Sequence, residues 1–152
     1  MKTKALAIGA LCAIAVGFLG CSDSNGKKEN DTDKAAATTV VDQSDPVAVA
    51  KEWWTAATEE NADRLLALTA EEAREGMKQG IIPHLSQIAK YKGKPIDVEP
   101  YNSTELVEYS EKDGKKYAKV CVVLGGAGTK EANSQVSILV LKDGKWFVTS
   151  KR

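Results

Sequence analysis

DPVAVAKEWWTAATEENADRLLALTAEEA, residues 45–73, carries the reading that decides the fold. Asp45-Pro46 supplies an N-cap followed by a proline at the first helical position, where the missing N–H costs nothing. At 100° per residue Val47, Val49, Ala50, Trp53, Trp54, Ala56 and Ala57 fall on one half of the wheel, and Lys51, Glu52, Thr55 and Glu59 on the other. The spacing therefore predicts an amphipathic helix with both tryptophans on its apolar face. Asn61–Asp63 interrupts the pattern and opens a second short helix whose Leu65, Leu66 and Leu68 pack inward. Thr69-x-x-Glu72 has capping-box spacing and predicts a third helix starting there and running through Met77 to Gly80. Beyond it, IIPHLSQIAKY resumes helical spacing through Ile81, Leu85, Ile88 and Tyr91.

After Gly93 the period changes from helical toward two. Strands are expected near 96–101, 105–110, 115–124, 135–141 and 146–150. The tetrapeptide KDGK occurs at 112–115 and again at 142–145, and Asp-Gly favours the primed turns that close two-residue hairpins. Helices first and an antiparallel meander second make an α+β order, with N-terminal helices packed on a curved antiparallel sheet. The expected core comprises Trp53 or Trp54, Leu65, Leu68, Ile88, Val120, Val122, Ile138, Val140 and Trp146 or Val148.

Upstream, residues 1–20 read as a leader: Lys2 and Lys4, then an apolar or small run from Ala5 to Phe18. As a helix that run spans ~21 Å, short of a ~30 Å hydrocarbon core, so it is a signal h-region and not a membrane span. The sequence FLGC that ends it resembles a bacterial lipoprotein signal, in which a small residue, here Gly20, precedes the cysteine to be modified, here Cys21. The resemblance implies Cys21 as the lipidation site and first mature residue, a lipid bilayer as partner through its acyl chains, and a place in the bacterial cell envelope at the outer membrane. Residues 22–44 are poor in large apolar side chains and mix both charge signs, which predicts a flexible tether after the lipidated cysteine, so that 21–44 forms one unit and 45–152 the globular domain.

The element order from 45 to 152, with NADRLLALT turning into the second helix and DGKWFVTS closing the chain, resembles the nuclear-transport-factor-2-like, or cystatin-like, superfamily. The resemblance implies a sheet curved around the first helix into a cone with a pocket. Some members bind ligands there, and a few catalyse isomerisation or dehydration.

Composition narrows the function classes. The chain of 152 residues is 43% hydrophobic and 28% charged, with Lys+Arg and Asp+Glu both 21, so no uniform positive field exists and nucleic-acid binding is not expected. One histidine and three cysteines cannot build a histidine-based zinc site or a disulfide framework, and no metal or redox cofactor is expected. The glycine-rich GGAGTKEANS, 125–134, lacks phosphate-loop spacing and joins two strands. Cys121 in KVCVVL reads as a small buried hydrophobe. Trp54, His84 and Tyr91 are the candidate pocket residues, and Asp97, Tyr101, Tyr109 and Tyr117 complete the polar groups that a cone could bury. Three function classes stay open: a non-enzymatic module binding a small apolar ligand or an envelope protein, a pocket enzyme using a buried acid or base, and a purely structural interaction domain. Oligomeric state is open as well.

Overall fold

A computed structural model describes residues 40–150. The leader 1–20, Cys21, the first part of the expected tether and the last two residues lie outside the described residues.

Helix α1 (Pro46–Thr58) starts where the Asp45-Pro46 signal puts it, with the Asp45 side chain accepting from the Val47 N–H. Val49, Ala50, Trp53, Trp54, Ala56 and Ala57 are buried, so both tryptophans belong to the core, their rings edge-to-face at 5.0 Å. Asn61 caps α2 (Ala62–Ala67) through the Arg64 N–H, and the Arg64 guanidinium pairs back to Glu52 of α1 and to Glu59 at its C-cap, which fixes the α1–α2 corner. Helix α3 (Glu71–Gly80) follows. The remaining helical stretch is broken into a 3-10 turn (Ile82–His84), α4 (Leu85–Ile88) and a second 3-10 turn (Ala89–Tyr91), which bury Leu85 and Tyr91 and leave Ile88 only partly covered.

The capping box expected at Thr69 does not form. Helix α3 has Ala70 as its N-cap, without a side-chain cap bond. Thr69 instead forms an isolated parallel bridge with Val148 of the last strand, β5 (Lys145–Thr149): the Val148 N–H donates to the Leu68 carbonyl, and the Ala70 N–H donates to the Val148 carbonyl. The bridge turns the Thr69 side chain inward. Its hydroxyl donates to the Leu65 carbonyl at 2.8 Å and accepts from Trp53 Nε1 at 2.9 Å. Glu72, released from capping, pairs with Lys142, which holds its carboxyl below the usual range.

The strands form one open antiparallel sheet of five: β1 (Ile96–Glu99), β2 (Val107–Lys112), β3 (Lys115–Leu124), β4 (Asn133–Lys142) and β5. Asp113-Gly114 and Asp143-Gly144 all have positive φ, the conformation that two-residue primed turns require and that KDGK predicts. The simple meander is corrected at its start. β1 does not pair with β2; both lie end to end along the same edge of β3, with Ile96–Glu99 opposite Leu124–Cys121 and Val107–Lys112 opposite Val120–Lys115. Pro100, with no N–H to offer a ladder, ends β1, and the chain leaves the sheet between 100 and 106.

Alternation splits β3 between two faces. Ala118, Val120, Val122 and Leu124 face α1 with Leu139, Trp146 and Val148 in the main core. Tyr117 and Val140 lie on the opposite face with Ala70, Ala73, Ile138 and Phe147, so Val140 and the half-buried Ile138 belong to a second, smaller cluster and not to the helix-side core. Packing begins ahead of the expected start at Asp45: Val41 lies against the core, and the Gln43 carbonyl accepts from the Trp146 N–H at 2.8 Å.

Candidate functional site

The two KDGK turns set the hairpin registers, and the residues immediately outside each turn are thereby brought into one row across the helix-side face. Glu111 faces Lys116 across the first hairpin, and Leu141 faces Trp146 across the second. These four line an open groove of about 510 Å³ together with Tyr109, Ser110 and Tyr117. The floor is apolar. Trp146 is 6% exposed and is locked at both backbone groups by Gln43, whose side-chain amide donates to the Trp146 carbonyl at 3.4 Å while its own carbonyl takes the Trp146 N–H. Tyr109 stands over it at 6.0 Å between ring centroids and is 62% exposed, one of the few large apolar side chains left at the surface. The charged groups of the groove, Glu111 and Lys116, are exposed, and the Tyr117 side chain is buried. Chemically, such a surface can hold an apolar or aromatic group against Trp146 and Tyr109 and orient a charged end by Lys116 or Glu111.

The residues expected to form a pocket do not converge here. Trp54 donates from Nε1 to the Ser137 hydroxyl at 2.9 Å and lines a smaller cavity of about 240 Å³ with Trp53, Met77 and Ile81, between the helices and the ends of β4 and β5. Tyr91 is buried elsewhere, its hydroxyl accepting from Asn133 Nδ2 at 3.2 Å, with the Lys90 and Lys94 ammonium groups near its ring. His84 is exposed, its Nδ1 3.4 Å from Gln87 Nε2. Neither cavity is lined by His84 or Tyr91. Asp97 accepts from the Ala127 N–H at 2.8 Å and pins the glycine-rich loop between β3 and β4, while Tyr101 lies beneath the Lys119 ammonium, 4.5 Å from the ring centre. Tyr109 and Tyr117 alone of these candidates reach the groove. The signal that could have found it was the pair of KDGK turns, since a hairpin register can be extended outward from its turn to the flanking residues.

Cys121 is buried on the sheet face away from α1, beside Glu99, whose carboxylate also accepts from the Ser134 hydroxyl at 2.8 Å. Burial pushes the thiol up from its ordinary value, and the Glu99 charge adds to the rise. Because the folded value lies above the unfolded one, this site's contribution to stability is full below about 9.0 and is lost as pH rises beyond it. In the native state at pH 8, a maleimide is expected to label Cys121 at least about tenfold more slowly than the urea-unfolded chain, since the thiolate is the reactive species. Equal rates would place this thiol in an open, activated setting.

Among the described residues no group of three or more histidine, cysteine or acidic side chains is placed to hold a metal ion, and no helix is long and apolar enough to cross a membrane. The fold and groove together define a small α+β domain with a helix-covered antiparallel sheet and one aromatic groove at its hairpin end. No family model matches the chain, and no curated protein or solved structure matches it.

Proposed function

We propose that the chain is a lipid-anchored cell-envelope protein of a bacterium, held at the outer membrane through acylated Cys21, and that its globular part is a cone-shaped nuclear-transport-factor-2-like domain serving as a non-enzymatic binding module. The leader supports the anchor: basic start, short apolar run and Gly20-Cys21 agree with one another. Helices followed by an antiparallel sheet that packs against α1 support the cone. The observation that carries the binding role is the groove over Trp146, where an exposed tyrosine meets a buried tryptophan and the carboxylate and ammonium among the lining residues, Glu111 and Lys116, are both exposed. An apolar ligand, or an apolar side chain of an envelope protein, is the matching occupant.

An environment-sensitive naphthalene dye tests the groove. Tyr109→Ser removes an exposed ring without disturbing the core, and is expected to weaken dye binding roughly tenfold, the worth of one aromatic wall, with thermal stability unchanged. Undiminished dye binding would show that the groove is not the binding surface. Turnover of a carbonyl or hydroxy-acid substrate, lost with Tyr109 or Glu111, would instead favour the pocket-enzyme reading.

A further inference from the structure

The two edges of the sheet are treated differently by the chain. In the β4–β5 hairpin the residues flanking the turn, Lys142 and Lys145, face each other, and alternation leaves the backbone groups of Trp146 and Val148 pointing outward. Both are used: Trp146 bonds Gln43, and Val148 bonds Leu68 and Ala70. The β2–β3 hairpin has the same turn and the same flanking pair, Lys112 opposite Lys115. The same alternation points the backbone groups of Tyr109 and Glu111 outward, and among the described residues β2 pairs with β3 alone. Residues 109–112 are exposed. Among the described residues this edge thus presents backbone donors and acceptors without a strand partner, of the kind that recruits another strand.

We infer that β2 is a pairing edge for a second copy of this chain, antiparallel and two-fold about Ser110. That register is the one its side chains favour. Tyr109 of each copy meets Glu111 of the other, which matches outward backbone groups with outward backbone groups. Glu108 of each copy meets Lys112 of the other on the same face, so the interface closes with opposite charges twice by symmetry. Glu108 already bonds Lys119 at 3.3 Å within its own chain and in the pair is shared between two lysines. Shifting the axis by half a residue, to lie between Tyr109 and Ser110, instead opposes Glu108 with Glu111, unlike the favoured register. The contact is short, below the roughly 1,000 Å² of a stable solution interface. Its occupancy therefore rests on the anchoring proposed above, which concentrates copies at a membrane surface.

Ser110 lies on the axis at a non-hydrogen-bonded pair, where Cα atoms of facing strands approach to about 4.5 Å, within the span of a disulfide. In cells expressing the full chain, Ser110→Cys is expected to give covalent dimers on mild oxidation, whereas Ser86→Cys, equally exposed on α4, gives only the parent chain's background. Adding Lys112→Glu to Ser110→Cys sets like charges opposite each other at both ends and is expected to cut the dimer yield about fivefold. Adding Glu108→Lys as well restores opposite charges and the yield. Detergent partition of the parent chain is measured alongside. A chain that partitions but gives no Ser110→Cys dimer, or gives adducts with other proteins only, overturns the pairing. A chain that does not partition overturns the anchor; crosslinking is then repeated on purified chain at high concentration, where absence of dimer overturns the pairing too.

Discussion

Trp53→Ala is expected to destabilise the domain by about 3–5 kcal/mol, the range for emptying a buried aromatic site. The ring is 3% exposed, packs edge-to-face on Trp54 and belongs to the main core beneath the sheet. Its Nε1–H is also the partner of the Thr69 hydroxyl, which in turn bonds the Leu65 carbonyl, so the loss reaches the segment 68–70 that closes the β5 edge. With roughly 5–15 kcal/mol as the whole stability of such a domain, the midpoint of thermal unfolding followed by circular dichroism should fall by about 15 °C or more. Trp53→Phe keeps most of the packing and forfeits the hydrogen bond, and should cost roughly 1–3 kcal/mol. A melting temperature within a few degrees of the parent for Trp53→Ala would mean that α1 does not seat this face against the sheet.

Cys21→Ser is expected to abolish the membrane anchor altogether. A serine hydroxyl cannot take the thioether-linked lipid, and each buried methylene of an acyl chain contributes about 0.8 kcal/mol, so two or three chains make release negligible and their loss complete. The parent chain should enter the detergent phase with the intact mass of an acylated Cys21 N-terminus; the variant should appear as uncleaved precursor or as anchor-free protein. Mature variant that still partitions into detergent would refute the lipoprotein reading.

These outcomes divide along the same line as the information in the sequence. Local signals act within a few residues, and they were legible: Asp45-Pro46 marks the start of α1, Asn61 marks the start of α2, the first Asp-Gly turn opens β3 at Lys115, and the second joins the end of β4 at Lys142 to the start of β5 at Lys145. Edges were less legible where the partner, not the residue, decides. β1 ends at Glu99 and β2 begins at Val107, because Pro100 cannot continue the ladder and both segments share a single side of β3. Thr69 shows the limit most clearly. Its spacing to Glu72 satisfies a capping rule, but the parallel bridge to Val148 offers the same backbone a better partner and sends the hydroxyl to Trp53.

The candidate site follows the same rule. Trp54, His84 and Tyr91 each carry pocket chemistry as single residues, and the fold sends them to three separate places. The groove instead joins Glu111 and Lys116 to Leu141 and Trp146, residues about thirty positions apart, through the pairing of β3 with β4. Helix starts, turn chemistry and strand period are properties of short peptides, so the sequence by itself determined them. Which strands share an edge, which way Thr69 points and where the aromatic groove opens depend on contacts such as Gln43 with Trp146, whose partners are remote along the chain, and only the tertiary structure decided them.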